Sequence, residues 1–109
     1  MLKNVTAGIS IDSKVIHLKS IKDKTFGAIR FNDKILFFKT RFGIHSFFVK
    51  APIDIIVLDK DKRIVKIKKS LLPKRIFLWN PKYFLILELP KDSIEKLKLK
   101  VGHIVEFNL

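Results

Sequence analysis

The sequence contains no cysteine and no glutamine, and only one methionine, one tryptophan and one tyrosine. Without cysteine there is no disulfide, no thiolate metal site and no cysteine nucleophile. Glycine and proline occur four times each, too few for a low-complexity chain. No apolar run approaches the roughly 18 residues that a membrane-spanning helix needs. Met1 to Asp12 lacks the apolar stretch of a signal peptide. A soluble, cytoplasmic protein is expected. Catalytic signatures are also missing: there is no nucleophile elbow, phosphate loop, dinucleotide fingerprint or zinc-protease helix. The three histidines, His17, His45 and His103, do not stand at metal-ligand spacing. No catalytic residue, metal or cofactor is expected, and the reading leans away from an enzyme. Acid is scarce too, with ten Asp and Glu, three of them Glu, against 23 Lys and Arg.

What remains is 109 residues, 48% hydrophobic and 30% charged, with a formal net charge of +13. This is the composition of one globular domain, residues 1–109, with an ordinary core. Nineteen of the basic residues are Lys. Abundant Lys with few thermolabile residues is a thermophile-like usage, but Glu normally rises with Lys in such proteins, and here it does not. The excess base therefore needs another explanation. It is concentrated in residues 62–82, which carry eight basic side chains and no acid: Lys62, Arg63, Lys66, Lys68, Lys69, Lys74, Arg75 and Lys82. Residues 83–109 are neutral by comparison, with four charges of each sign.

Period-two alternation dominates the chain. Val5, Ala7, Ile9 and Ile11 predict one face of a first strand, and Ile16 and Leu18 a second. Thr25 to Phe31 is a third candidate, with a turn at Asn32-Asp33 and a strand over Lys34 to Lys39. Ile44 to Val49 reads as extended. Pro52 cannot donate to a ladder, so it marks an edge, a bend or a strand start before Ile53 to Leu58. Asp59 to Lys62 is a hairpin turn, and Ile64 to Lys68 returns with Val65 and Ile67 facing inward. Ser70 to Pro73 reads as a loop and Ile76 to Trp79 as a short strand. Tyr83 to Leu89 is apolar almost throughout, as in a strand covered on both faces. Asp92 or Ser93 caps one short helix, with Asp92 and Glu95 at capping-box spacing, and His103 to Phe107 forms the last strand. The fold class is mainly β: a small compact barrel or sandwich of about eight short strands, with one short helix before the last strand.

Candidate sites follow from chemistry. The 62–82 cluster is a candidate anion-binding surface, because clustered base attracts polyanions. Trp79 and Tyr83, flanking Asn80-Pro81-Lys82, are candidate exposed aromatic contacts for single-stranded nucleic acid. Asp54 stands in a strand apolar on both faces, where a bare carboxylate is costly, so it must be hydrogen-bonded, ion-paired or at a surface. With His45 it forms a candidate pocket. Two readings stay open beside nucleic-acid binding: an accessory domain with an acidic protein partner, and a small-ligand or enzyme site around Asp54 and His45.

From about Phe26 onward the chain resembles the uncharacterised domain-of-unknown-function family 192. The likeness is carried by His45 to Lys50, Pro52 to Asp59, Val65, Leu72-Pro73, Leu87 to Pro90 and Leu99 to Gly102. It implies a compact, mostly β domain with a short helix before its last strand, and no known activity. The family's Asp maps onto Asp54 and its aromatic pair onto Phe47 and Phe48. Its Gly-Leu-Met segment is here Phe26 to Arg30, and its Gly-Asp after the helix is here Gly102-His103. The piece from Leu89 to Phe107 is also similar to the strand–helix–hairpin of AbrB-like DNA-binding domains.

Overall fold

A computed structural model describes residues 1–18, 34–41, 44–45, 52–72 and 75–108, with 44–45 described for backbone only. Its described residues form ten strands and one helix. They are β1 (Leu2–Asn4), β2 (Ile9–Ile11), β3 (Val15–His17), β4 (Ile35–Lys39), β5 (Ile44–His45), β6 (Ile53–Leu58), β7 (Ile64–Leu71), β8 (Ile76–Phe77), β9 (Leu85–Pro90), α1 (Ser93–Lys96) and β10 (Val105–Phe107). The expected strands at 25–31 and 46–49 and the turn at 32–33 lie outside the described residues.

The centre is a five-stranded sheet in the order β3-β4-β9-β6-β7. Among the described strands only β3 and β4 pair in parallel. All six residues of β6 are buried, and β9 beside it is buried through its middle four. Both lie inside the sheet with both faces covered, as their unbroken apolar runs require. Their alternating side chains feed two separate clusters. Ile56, Leu58, Leu87 and Leu89 join the first, with Leu2, Val105 and Phe107 of the sheet β10-β1-β2 and Ile94, Leu97 and Leu99 from α1 and its exit. Ile53, Ile55, Val57 and Ile86 join the second, with Phe77 and Trp79. The strand pair β5-β8 lies on that second side. The sheets are not closed into a barrel, so the sandwich alternative holds.

Three local expectations are corrected. Val5 to Ile11 is not one strand. Asn4 Oδ1 accepts the Ala7 N–H at 3.2 Å, its carbonyl accepts the Gly8 N–H at 2.8 Å, and Gly8 sits at φ 72°, so the chain reverses between β1 and β2. Val5 is left exposed. Val65 and Ile67 do not share a face either. A bulge near Val65 shifts the β6–β7 register, so Val65 packs on the second cluster and Ile67 on the first. Third, β7 runs on through Leu71, with Ser70 at φ 52° marking a further irregularity opposite Asp54.

The helix also starts differently. Asp92 occupies the N-cap position at φ 71° and makes no side-chain cap bond. The first turn is served from the core instead, by Asp54. The last strand pairs with β1, so Leu89 to Phe107 does not form the AbrB-like hairpin.

Candidate functional site: a basic cavity between the long hairpin strand and the helix exit

Asp54 is 1% exposed. Its Oδ1 accepts the Ser70 N–H at 2.8 Å and its Oδ2 accepts the Ile94 N–H at 3.0 Å. One oxygen thus satisfies an amide freed by the β7 irregularity, and the other an amide freed at the helix start. Asp54 lines neither described cavity and faces the first cluster. His45, whose backbone pairs with Ile76 of β8, belongs to the opposite side. The expected His45–Asp54 pocket is therefore not what Asp54 builds. The His45 side chain lies outside the described residues.

The basic residues of 62–82 divide between the two sides of the sheet. Lys66 pairs with Val57 and Lys68 with Ile55, both second-cluster positions. Lys66 Nζ donates to the Leu78 carbonyl at 2.7 Å and stands 5.0 Å from the Phe77 ring centroid. Lys69, one residue further, faces the first side. At the strand's start Lys62 Nζ stands 4.7 Å from the Phe107 centroid, and Arg63 Nη1 donates to the Gly102 carbonyl at 3.0 Å. Lys82 lies over Tyr83, at 5.7 Å, on the rim of a separate 360 Å³ cavity that also has Asp59, Lys60 and Asp61 on its wall. Arg75 is exposed, and Lys74 lies outside the described residues.

The aromatic expectation is corrected. Trp79 is 7% exposed, and its Nε1–H donates to the Tyr83 carbonyl at 2.8 Å. Tyr83 is half-buried. The interleaving of aromatic and basic residues places cations over rings within the fold, as with Arg41 at 4.3 Å from the Phe84 centroid.

A basic cluster that is not contiguous in sequence forms on the first side. Lys69 of β7 and Lys98, Lys100 and His103 from the helix exit line an open 480 Å³ cavity together with Ala7, Ile94, Leu99 and Glu95. No hydrogen-bond or ion-pair partner for the three ammonium groups is found among the described residues. The helix exit has the two bonds of a Schellman motif: Lys98 N–H to the Glu95 carbonyl at 3.1 Å and Leu99 N–H to the Ile94 carbonyl at 2.9 Å. Lys98 takes the left-handed position, φ 51°, that such a motif usually gives to glycine.

Asn4, fully buried, fixes His103. Its Oδ1 accepts Ala7 N–H, so its Nδ2 faces the Leu97 carbonyl at 2.9 Å and His103 Nδ1 at 3.0 Å. Since the amide nitrogen is a donor, Nδ1 accepts, and the neutral ring carries its proton on Nε2. Neutrality of residues 83–109 hid this site from a linear charge count. Of the four acids there, Glu88 is buried in the sheet, Glu106 pairs with Lys3 across β1–β10 and Asp92 is exposed at the helix start; only Glu95 meets the cavity.

Glu88 is the second buried carboxylate. It lies between Leu36 and Ile55 on the second face, and burial pushes its carboxyl up to about 7. Among the described residues no group of three or more His, Asp or Glu is placed to hold a metal ion, and no helix is long and apolar enough to cross a membrane.

Comparison with solved structures places the architecture among known folds. A protein of unknown function from Novosphingobium aromaticivorans superposes with a TM-score of 0.74 at 17% identity, over 87% of this chain and 75% of that one. A Sinorhizobium meliloti protein described as "a putative transcription regulator" superposes at 0.75 and 16% identity, over 96% and 88%. At such identities the likeness concerns the fold. In sequence, a UPF0127 protein of Pyrococcus abyssi is 39% identical over 75 residues, 67% of this chain but only 63% of that relative's length. The model of the DUF192 family, described as "Uncharacterized ACR", matches residues 28–107, so the chain belongs to that family.

Proposed function

We propose that this protein is a small non-enzymatic binding module for a polyanion, nucleic acid being the class its charge fits best. The observation that carries the reading is the gathering of Lys69, Lys98 and Lys100 at one cavity from two distant chain segments. Gathering these cations raises the local positive potential, which attracts an anion. The site offers cations and one ring N–H, and none of the paired acids or activated nucleophiles that bond-breaking chemistry uses. Binding is through phosphate neutralisation, with little base readout.

The test is fluorescence anisotropy of labelled single- and double-stranded oligonucleotides over a salt series. Three contacts, from Lys69, Lys98 and Lys100, predict a log–log salt slope of about −2.7 on duplex and about −2 on single strands. Absence of binding at about 50 mM salt, where such a term is strong, contradicts the reading.

A further inference from the structure

We infer that the cavity among Lys69, Lys98, Lys100 and His103 receives a phosphomonoester group, the terminal phosphate of a strand or of a mononucleotide. The inference deepens the proposed function, since it rests on reading this cluster as an anion site.

The chemistry of the lining favours an end over a chain. Ala7, Ile94 and Leu99 contribute apolar surface and Glu95 a carboxylate. A diester backbone laid across the site would bring its charges past that carboxylate. A terminal group enters the cavity and leaves its sugar hydroxyls near Glu95, which accepts from them. A terminal phosphate also carries more charge than a diester, close to two negative charges at neutral pH, and three acceptor oxygens. Three ammonium groups and a ring N–H match that inventory.

His103 is prepared for the role. Asn4 occupies its Nδ1, so the ring presents Nε2–H, a neutral donor already oriented before any ligand arrives. Lys98 supplies the second argument. A non-glycine residue at φ 51° is disfavoured, and glycine would hold the same Schellman turn without strain. From this position the Lys98 side chain reaches the cavity.

That strain provides a variant that keeps the fold. Lys98→Gly preserves the left-handed turn, and its Tm is expected to be unchanged or raised by a few degrees. Affinities are compared for three single strands of one sequence: 5′-phosphorylated, 3′-phosphorylated and unphosphorylated at both ends. One phosphorylated form is expected to bind about tenfold more tightly than the unphosphorylated strand, an advantage that Lys98→Gly removes. Equal affinity of all three overturns the inference and leaves the polyanion reading standing. A preference that survives in Lys98→Gly also overturns it. If no strand binds, the polyanion reading fails by itself. Inorganic phosphate and a nucleoside monophosphate are then titrated while the His103 Nε2 nitrogen resonance is followed. A saturable shift identifies the small phosphate as the source, and a flat response overturns the site.

Discussion

Asp54 holds two amides that belong to different elements, Ser70 of β7 and Ile94 of α1. Ser70 adjoins Lys69, and Ile94 begins the turn that ends at Lys98, so this carboxylate positions the basic cavity without lining it. Asp54→Asn keeps the shape but has a single acceptor oxygen, leaving one buried N–H facing an amide NH₂. A loss of about 2–3 kcal/mol in urea unfolding is expected. Glu88 acts in the opposite sense. Its folded-state carboxyl is raised from an ordinary 4.5 to about 7 by burial, so the native state holds a proton that the unfolded state releases. Its contribution is fully present below about 4.5 and lost as pH rises through about 7. Glu88→Gln is expected to flatten the stability profile across that window and to stabilise the protein at pH 8 by up to about 3 kcal/mol. A parallel pH dependence in parent and variant contradicts this.

At the scale of elements, what was legible in the sequence was what periodicity and proline control. The run from Ile53 to Leu58 follows Pro52 and is β6, and the apolar run ending at Pro90 contains β9. The hairpin turn at Asp59 to Lys62 is where its residues placed it, with Asp59 Oδ1 accepting the Asp61 and Arg63 amides. What alternation does not carry is a change of phase. The bulge near Val65 moves Lys66 to Lys69 to the opposite face, until the irregularity at Ser70 shifts the register again, and no residue there announces it. The β1–β2 turn was missed because Val5, Ala7, Ile9 and Ile11 fit a strand, although Asn4 and Gly8 supply its chemistry. Gly8→Ala tests that turn. A Cβ meets nothing within 4 Å, so the cost is backbone strain alone, about 1 kcal/mol in denaturant midpoint analysis. The helix cap was invisible for a similar reason, since its acceptor lies 40 residues away.

At the scale of the molecule, charge is the property that sequence stated most plainly and located least well. Eight basic residues between 62 and 82 suggested one surface. A sheet has two faces, and successive residues point to opposite ones, so Lys68 and Lys69 part company. The cavity is completed instead by Lys98, Lys100 and His103, from a segment that looked neutral because it also carries four acids, of which only Glu95 meets the cavity. Asp54, singled out as the family's acid, proved to be the residue that joins the two halves of this site. The salt dependence of oligonucleotide binding in two multiple variants tests this assignment most directly. Lys69→Ala, Lys98→Gly and Lys100→Ala together are expected to flatten the duplex slope by about 3, while Lys66→Ala with Lys68→Ala leaves it within about 1 of the parent. A steep slope retained in the first variant, or lost in the second, would place the binding surface on the other side of the sheet and contradict the account.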